Sequence, residues 1–301
     1  MPERTRLVPA PGGTYPLGPS EVARIGYGAM PLRSLTADPA KAKELLKYAV
    51  EHGINHIDTA EFYGDGFVNQ LIRDVVPKDG SVIIATKVGA APAPGAKVPL
   101  RMAQRPEELR ASVEDNLASL GMESLPVVNL RRADGGPGLR AEGDQIVAIE
   151  DQMAELIALR TAGKIQSIGL SAVNVDSLKR VLSAGIACIQ NAYSLVSRED
   201  EGLLTMCLEH QIAWVPFFPL GGAFPGWPKV TEQSAVIGVA GRLGVTPSQV
   251  GLAWLLQHKP NILLIPGTAN GAHLKENLAS AQIVLDEQAI SELEAGAASR
   301  R

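Results

Sequence analysis

The chain has 301 residues, 46% of them apolar and 20% charged, with a formal net charge of −4. That is ample material for a buried core, and the slight acidic balance argues against a nucleic-acid or anionic-membrane partner. No basic block or heptad run occurs, and no apolar stretch approaches the ~18 residues of a membrane span. Residues 1–7 lack the apolar segment of a secretory signal. Cys188 and Cys207, both in apolar surroundings, read as buried free thiols of a reduced compartment. A cytoplasmic, soluble protein is expected.

Residues 14–24 read as a hairpin with a Gly-Pro-Ser turn at Gly18–Ser20. A first strand is expected at 25–28. Asp38 caps a helix that carries Pro39 in its first turn and runs to about His52. Gly53 ends it. Further strands are expected near 54–57, 82–86, 126–130, 165–169, 187–190, 212–216 and 262–265. Helices are expected near 67–75, 106–120, 145–162, 175–184, 199–210 and 247–258, with another from 271 and a last one from Asp286. Long Gly- and Pro-rich loops occupy 88–105, 131–144 and 221–231. Strands that alternate with helices imply a parallel sheet. Eight such units in ~250 residues imply a closed (β/α)8 TIM barrel rather than an open sheet. A doubly wound sheet would want Gly-x-Gly-x-x-Gly after an early strand, and Gly26-Tyr27-Gly28 lacks the third glycine in register. One domain is expected: a hairpin at 14–24, a barrel over 25–283, and a C-terminal helix and tail over 286–301.

The chemistry-bearing stretch is 52–64. A short apolar strand leads to Asp58, and Tyr63 follows five residues on. Lys87 stands at the C-terminal end of the next strand, 82–86. All three therefore gather at the strand ends, where sites form in parallel sheets. Tyr serves as a general acid, but its ordinary pKa of ~10 calls for a nearby cation, and that cation calls for a carboxylate. Lys87 and Asp58 supply them. Each alone has an ordinary reading: a helix N-cap, a solvated lysine, a packed loop tyrosine. The conjunction is what points to chemistry. His52 and His56 flank Gly53 and a strand start, so they do not share a helical face, and no metal site is expected.

The segment 52–64, with Thr86-Lys87 following, resembles the active-site signature of the aldo-keto reductases, and the resemblance runs from Gly26 to Ala281. It implies Asp58, Tyr63 and Lys87 as three of the four catalytic positions. The fourth, usually His, falls on Arg131. Arg is a permanent cation with up to five donors and no base function at neutral pH. It either faces the site or is a loop arginine that pairs with Asp134 or Glu142.

The resemblance also implies an NADP(H) site. Ser171 and Gln190 match carboxamide partners of the nicotinamide. The usual Asn is replaced by Ala172, with Asn174 two residues on. Phe217 takes the place of the stacking Tyr, or else Phe217 and Phe218 are plain core. Leu220, Gly221 and Gly222 match the turn where backbone N–H groups approach a pyrophosphate, and Gly28 lies at the end of the first strand. Gly267, Thr268, His273, Glu276 and Asn277 match the adenosine-phosphate loop and helix. There His273 and Thr268, with Lys275 nearby, replace the usual Arg and Lys, so the choice of NADP over NAD rests on them.

Segments such as 127–131, 215–222 and 261–268 are similar to the bacterial pyridoxal reductase branch. Together these features lead to NADPH-dependent reduction of a small aldehyde, pyridoxal to pyridoxine first, with Phe62, Phe218, Phe224 and Trp227 as candidate pocket walls. Two alternatives stay open. One is a reductase of another carbonyl metabolite. The other is a non-catalytic NADP(H)-sensing module, as the potassium-channel β-subunits suggest.

Overall fold

A computed structural model describes residues 9–93, 95, 100–132, 134, 140–222 and 226–298. An antiparallel hairpin comes first, β1 (Thr14–Leu17) with β2 (Ser20–Ala23), Leu17 facing Ser20 across the turn. The main sheet has seven strands: β3 (Tyr27–Gly28), β4 (His56–Asp58), β5 (Ile83–Val88), β8 (Leu125–Arg131), β9 (Ile165–Ser171), β10 (Ile186–Gln190) and β11 (Ala213–Trp214). All neighbours run parallel, in the order β11-β10-β9-β8-β5-β4-β3. The segment expected as the last strand, 262–265, forms single bridges instead of a regular strand, one to each edge of the sheet. Ile262 bridges Trp214, and Leu264 bridges Ile25. Leu263 N donates to Trp214 O and Gly26 N to Leu264 O, each at 2.8 Å. The curled sheet with its edges joined in this way is consistent with the expected (β/α)8 barrel.

Alternation along the strands sorts side chains to two faces. Ile83, Ala85, Val127, Cys188, Ala213, Val215, Leu263 and Ile265 form one buried cluster with Leu17 and Val22, so the hairpin packs onto the inner face of the sheet. Ile57, Ile84, Val128, Leu130, Ile168, Leu170 and Ile189 point the other way, into the larger cluster shared with the helices. Both cysteines are buried and free, as expected.

Ten α-helices are assigned among the described residues. The first, α1 (Pro39–Glu51), starts as its sequence dictates: Asp38 accepts from Lys41 N at 3.1 Å, and Pro39 follows the cap. Then come α2 (Phe67–Val75), α3 (Pro106–Leu120), α4 (Ile149–Thr161), α5 (Val175–Val181), α6 (Glu201–Glu209), α7 (Ser234–Leu243), α8 (Pro247–His258), α9 (Gly271–Ala279) and α10 (Glu287–Ala298). Two elements escape the sequence reading. Helix α7 carries Gly238 and Gly241, which weaken its helical signal. The loop expected over 88–105 holds a small hairpin, β6 (Ala90–Pro92) with β7 (Leu100–Met102), whose strands are too short for a period to show. The helix expected over 145–162 begins only at Ile149. Among the described residues no helix is long and apolar enough to cross a membrane.

His56 lies two residues before Asp58 on the same face of β4, against Gly26: a Cβ there would fall 2.2 Å from Nε2. Its ring is buried, and neither nitrogen has a hydrogen-bond partner among the described residues. Burial pushes the imidazole down to about 4. Above the ordinary histidine range the folded and unfolded states are both neutral and no cost arises. Below it the unfolded chain takes up a proton that the folded chain refuses until about pH 4, so stability falls as pH drops through that window. Thermal melts between pH 7 and 4 should show this loss, and His56→Leu should flatten it. An equal slope in both proteins would contradict the assignment.

Candidate active site

Asp58 ends β4 and Lys87 lies near the end of β5, on adjacent parallel strands whose ladder pairs Asp58 with Ala85. Lys87 Nζ donates to Asp58 Oδ1 at 2.6 Å and to the Thr59 carbonyl at 2.9 Å. Both side chains are only 7% exposed. The other carboxylate oxygen, Asp58 Oδ2, accepts from Gln190 Nε2 at 2.8 Å. Gln190 ends β10, so this bond spans the inside of the curled sheet. Tyr63 is buried, with Lys87 Nζ 5.2 Å from its ring centroid. The structure thus brings the expected carboxylate, cation and phenol together.

Lys87 acts on Tyr63 in the direction the sequence implies, but burial outweighs it. Lys87 was expected to bring the phenol pKa down. Burial raises it above the ordinary value, Asp58 adds to the rise, and the opposing charge and hydrogen bond of Lys87, with the charge of Arg131, do not overcome burial. The net direction is up, which keeps the hydroxyl protonated. Lys87 itself also ends up raised. Burial works against its charge, but Asp58 and Tyr63 outweigh it.

Arg131 ends β8, and its carbonyl is gripped by Gln104 Nε2 at 2.7 Å; the same nitrogen reaches the Gly89 carbonyl at 2.5 Å. The strand ends of β5 and β8 are thereby tied together, a role for Gln104 that the sequence reading missed. The expected loop alternative for Arg131 fails at Asp134. That carboxylate is taken by the neighbouring Arg132, through Nε at 2.5 Å and Nη2 at 3.0 Å, and by Ser177 Oγ at 2.7 Å. Arg132 also donates to Gln152 Oε1. Among the described residues the Arg131 guanidinium has no carboxylate partner. Burial draws its pKa down, and its interaction with Tyr63 works against that.

Ser171 ends β9, buried, in register with both Gln190 and Arg131. Gln190 Oε1 is buried with no hydrogen-bond partner among the described residues. Ala172 takes a positive φ of 56°. Asn174, two residues on, accepts from Ser177 N at 2.9 Å as the cap of α5 and is exposed. Phe217 and Phe218 are half-buried, belong to neither core cluster, and meet edge to face at 5.0 Å. Phe62 is half-buried against the Tyr63 ring at 5.2 Å, and Trp227 is half-buried. Phe224 lies outside the described residues.

The Gly221 and Gly222 N–H groups, expected to be free for a pyrophosphate, are spent inside the loop on the carbonyls of Phe218 (2.8 Å) and Pro228 (3.1 Å). The Leu220 carbonyl takes Val230 N at 2.9 Å. Gly28 and Gly267 are glycines for a reason of their own. A Cβ on Gly28 would sit 2.5 Å from the Ile265 carbonyl oxygen, and one on Gly267 would sit 2.5 Å from the Gly28 oxygen. Their backbones meet where β3 approaches the 262–265 segment. Thr268 is buried, its carbonyl taken by Tyr27 Oη at 2.5 Å. His273 is exposed in the first turn of α9, behind the cap Asn270, with Glu276 half-buried and Asn277 buried on the same helix. Lys275 lies over the Tyr48 ring at 5.5 Å.

The sequence model described as "Aldo/keto reductase family" matches residues 24–297. The chain belongs to the aldo/keto reductase family. It is therefore an oxidoreductase acting on CH–OH or C=O groups. Its relatives include a pyridoxine 4-dehydrogenase of Escherichia coli, 41% identical over 93% of this chain and 97% of that protein. An uncharacterised oxidoreductase of Schizosaccharomyces pombe is 32% identical over 94% of this chain and 89% of that protein. Among solved structures, the thermostable aldo-keto reductase Tm1743 in complex with epalrestat superposes with a TM-score of 0.77 at 26% identity, covering 94% of this chain and 99% of that one. An aldo/keto reductase of Klebsiella pneumoniae in complex with NADP and acetate gives 0.74 at 25%, over 92% of each chain.

In this aldo/keto reductase the buried ammonium depends on one carboxylate. Removing one partner of a buried pair typically costs ~3–5 kcal/mol, because a charge is left uncompensated. Asp58→Asn should therefore lower stability in urea unfolding at neutral pH by about 3 kcal/mol and move Lys87 to a lower pKa. Stability equal to that of the parent would show that the pair is not held as described.

Proposed function

We propose that this chain reduces small aldehydes with NADPH, pyridoxal to pyridoxine first among them, on a (β/α)8 barrel whose closed end is covered by the N-terminal hairpin. The observation that carries the reading is the phenol of Tyr63 beside the buried Lys87–Asp58 pair at the C-terminal ends of the strands. The E. coli relative's activity supports pyridoxal as the first substrate. The residues fit the cofactor. Gln190 presents a buried acceptor without a partner beside Ser171, a place for a carboxamide N–H. Phe217 is half-buried, and its ring would serve for stacking. Leu220, Gly221 and Gly222 would flank the pyrophosphate through their loop shape rather than their N–H groups. Thr268, His273, Glu276 and Asn277 would hold the adenosine phosphate, over the floor made by Gly28 and Gly267. Bound there, NADPH supplies the hydride.

The protein's own part is proton transfer and charge. Tyr63 donates its proton to the carbonyl oxygen as negative charge builds there. Burial keeps the phenol protonated until that moment, and the two cations ease the loss of the proton. Asp58 keeps Lys87 charged and in place. Arg131, the cation without a carboxylate, donates to the same oxygen and pairs with an ionised phenol on the substrate, which pyridoxal carries. Phe62, Phe218 and Trp227 would wall the pocket. Two buried, unpaired thiols support a reduced, cytoplasmic setting.

Tyr63→Phe keeps the ring and removes the proton donor. General acid catalysis is worth ~10²–10⁴-fold, so turnover should fall at least about a hundredfold while NADPH titrated by fluorescence binds as before. A parallel loss of NADPH binding would argue against the role.

Arg131→Met keeps most of the apolar stem and removes the donors. Loss of a preorganised donor typically costs ~10²–10³-fold in rate. Steady-state rates should fall by that order for pyridoxal and by less for an aldehyde without an ionisable phenol. Equal rates for the variant and the parent on both substrates would leave oxygen polarisation to Tyr63 alone.

A further inference from the structure

Behind the Lys87–Asp58 pair, on the helix side of the sheet, four polar side chains are each 0% exposed: Thr59, Asn69, Thr86 and Asn116. They form one chain of hydrogen bonds. Thr86 Oγ1 donates to Asn116 Oδ1 at 2.5 Å, and Asn69 Nδ2 donates to the same oxygen at 3.2 Å. Thr59 Oγ1 donates to Asn69 Oδ1 at 2.8 Å. Asn69 Nδ2 also donates to Ser119 Oγ at 2.9 Å, and Asn116 Nδ2 donates to the Ser112 carbonyl at 2.8 Å. Around them Val68, Leu71, Ile72, Val113 and Leu117 are buried apolar residues, as the contact of helices α2 and α3 with a sheet requires. Polar groups in such a layer gain little net stability over apolar ones of similar shape. Their use must lie in where they hold the backbone.

Thr59 follows Asp58 and Thr86 precedes Lys87. Alternation along a strand turns neighbouring side chains to opposite faces, so a threonine tied down on the helix side aims the next side chain inward. The ammonium of Lys87 in turn donates to the Thr59 carbonyl at 2.9 Å. A closed ring results, from Lys87 through Thr59, Asn69, Asn116 and Thr86 back to Lys87 along the chain. We infer that this buried Thr59–Asn69–Asn116–Thr86 chain positions the Lys87 ammonium on Asp58 and at the Tyr63 hydroxyl. The four are positioning residues and touch no reactant. The inference rests on the proposed reductase role of Lys87.

Thr86→Val keeps the shape and β-branching and deletes one donor. In the full chain it should lower kcat for aldehyde reduction about tenfold, since small misplacements of catalytic groups cost up to ~10²-fold, and leave KM within about twofold. Thr86→Ser, which keeps the hydroxyl, should restore kcat. In a Lys87→Met background the residual rate should be the same with and without Thr86→Val, because the effect passes through Lys87. Independently of activity, the Lys87 Nζ resonance in ¹⁵N-lysine-labelled protein should shift or broaden in Thr86→Val and return in Thr86→Ser.

A Thr86→Val protein with kcat within twofold of the parent and an unmoved Lys87 resonance would overturn the inference, as would an equal fall in the Lys87→Met background. If Thr86→Val does not fold, Thr59→Val and Thr59→Ser decide by the same readouts. A parent protein that reduces no aldehyde would fail the proposed function instead, and the resonance alone would then judge the positioning.

Discussion

The structure turns on one ion pair. An ammonium and a carboxylate, each 7% exposed, are held 2.6 Å apart. Taking two such charges out of water costs several kcal/mol apiece, and only close geometry with satisfied remaining donors and acceptors repays it. The chain meets that demand from elements distant in sequence. Thr59 gives its carbonyl to the ammonium, and Gln190, from the opposite side of the sheet, gives a donor to the second carboxylate oxygen. The curled sheet is needed for this, because β4, β5 and β10 must present their ends to one point.

Arg131 shifts the balance of the site. Two cations stand near Tyr63 against a single carboxylate, and the second cation has no partner in the protein among the described residues. An unpaired, largely buried guanidinium is a costly feature for a fold to keep for stability alone. In the proposed function it is the receptor for negative charge that arrives with the substrate or develops on its oxygen.

Much of this was legible in the sequence. Asp58 and Lys87 could be placed because they end apolar runs of strand length, and Tyr63 because it follows Asp58 by five residues; a parallel sheet sends those strand ends to one rim. The hairpin followed from its turn residues and the short strands around them. Other features were not legible, for physical reasons. Adjacent arginines at 131 and 132 look alike in one dimension. The strand end separates them, sending Arg132 to Asp134 and leaving Arg131 without a carboxylate partner among the described residues. The direction of the Tyr63 pKa depends on how deeply the ring is buried, which no spacing reveals. Asn69 and Asn116 interrupt the apolar faces of α2 and α3, a visible signal, but their meeting depends on how the two helices pack. The Gly221 and Gly222 N–H groups were thought free because glycine permits close approach, and the return of the loop at Pro228 consumes one of them.

The central claim is that this pair and its tyrosine perform chemistry rather than merely accompany a bound nucleotide. The most direct measurement is NADPH consumption by the purified protein across a panel of aldehydes that includes pyridoxal, with products identified by mass. The account predicts saturable consumption with pyridoxal and one alcohol formed per NADPH oxidised. Tight NADPH binding with no aldehyde reduced anywhere in the panel would contradict it and mark the protein as a nucleotide-binding module.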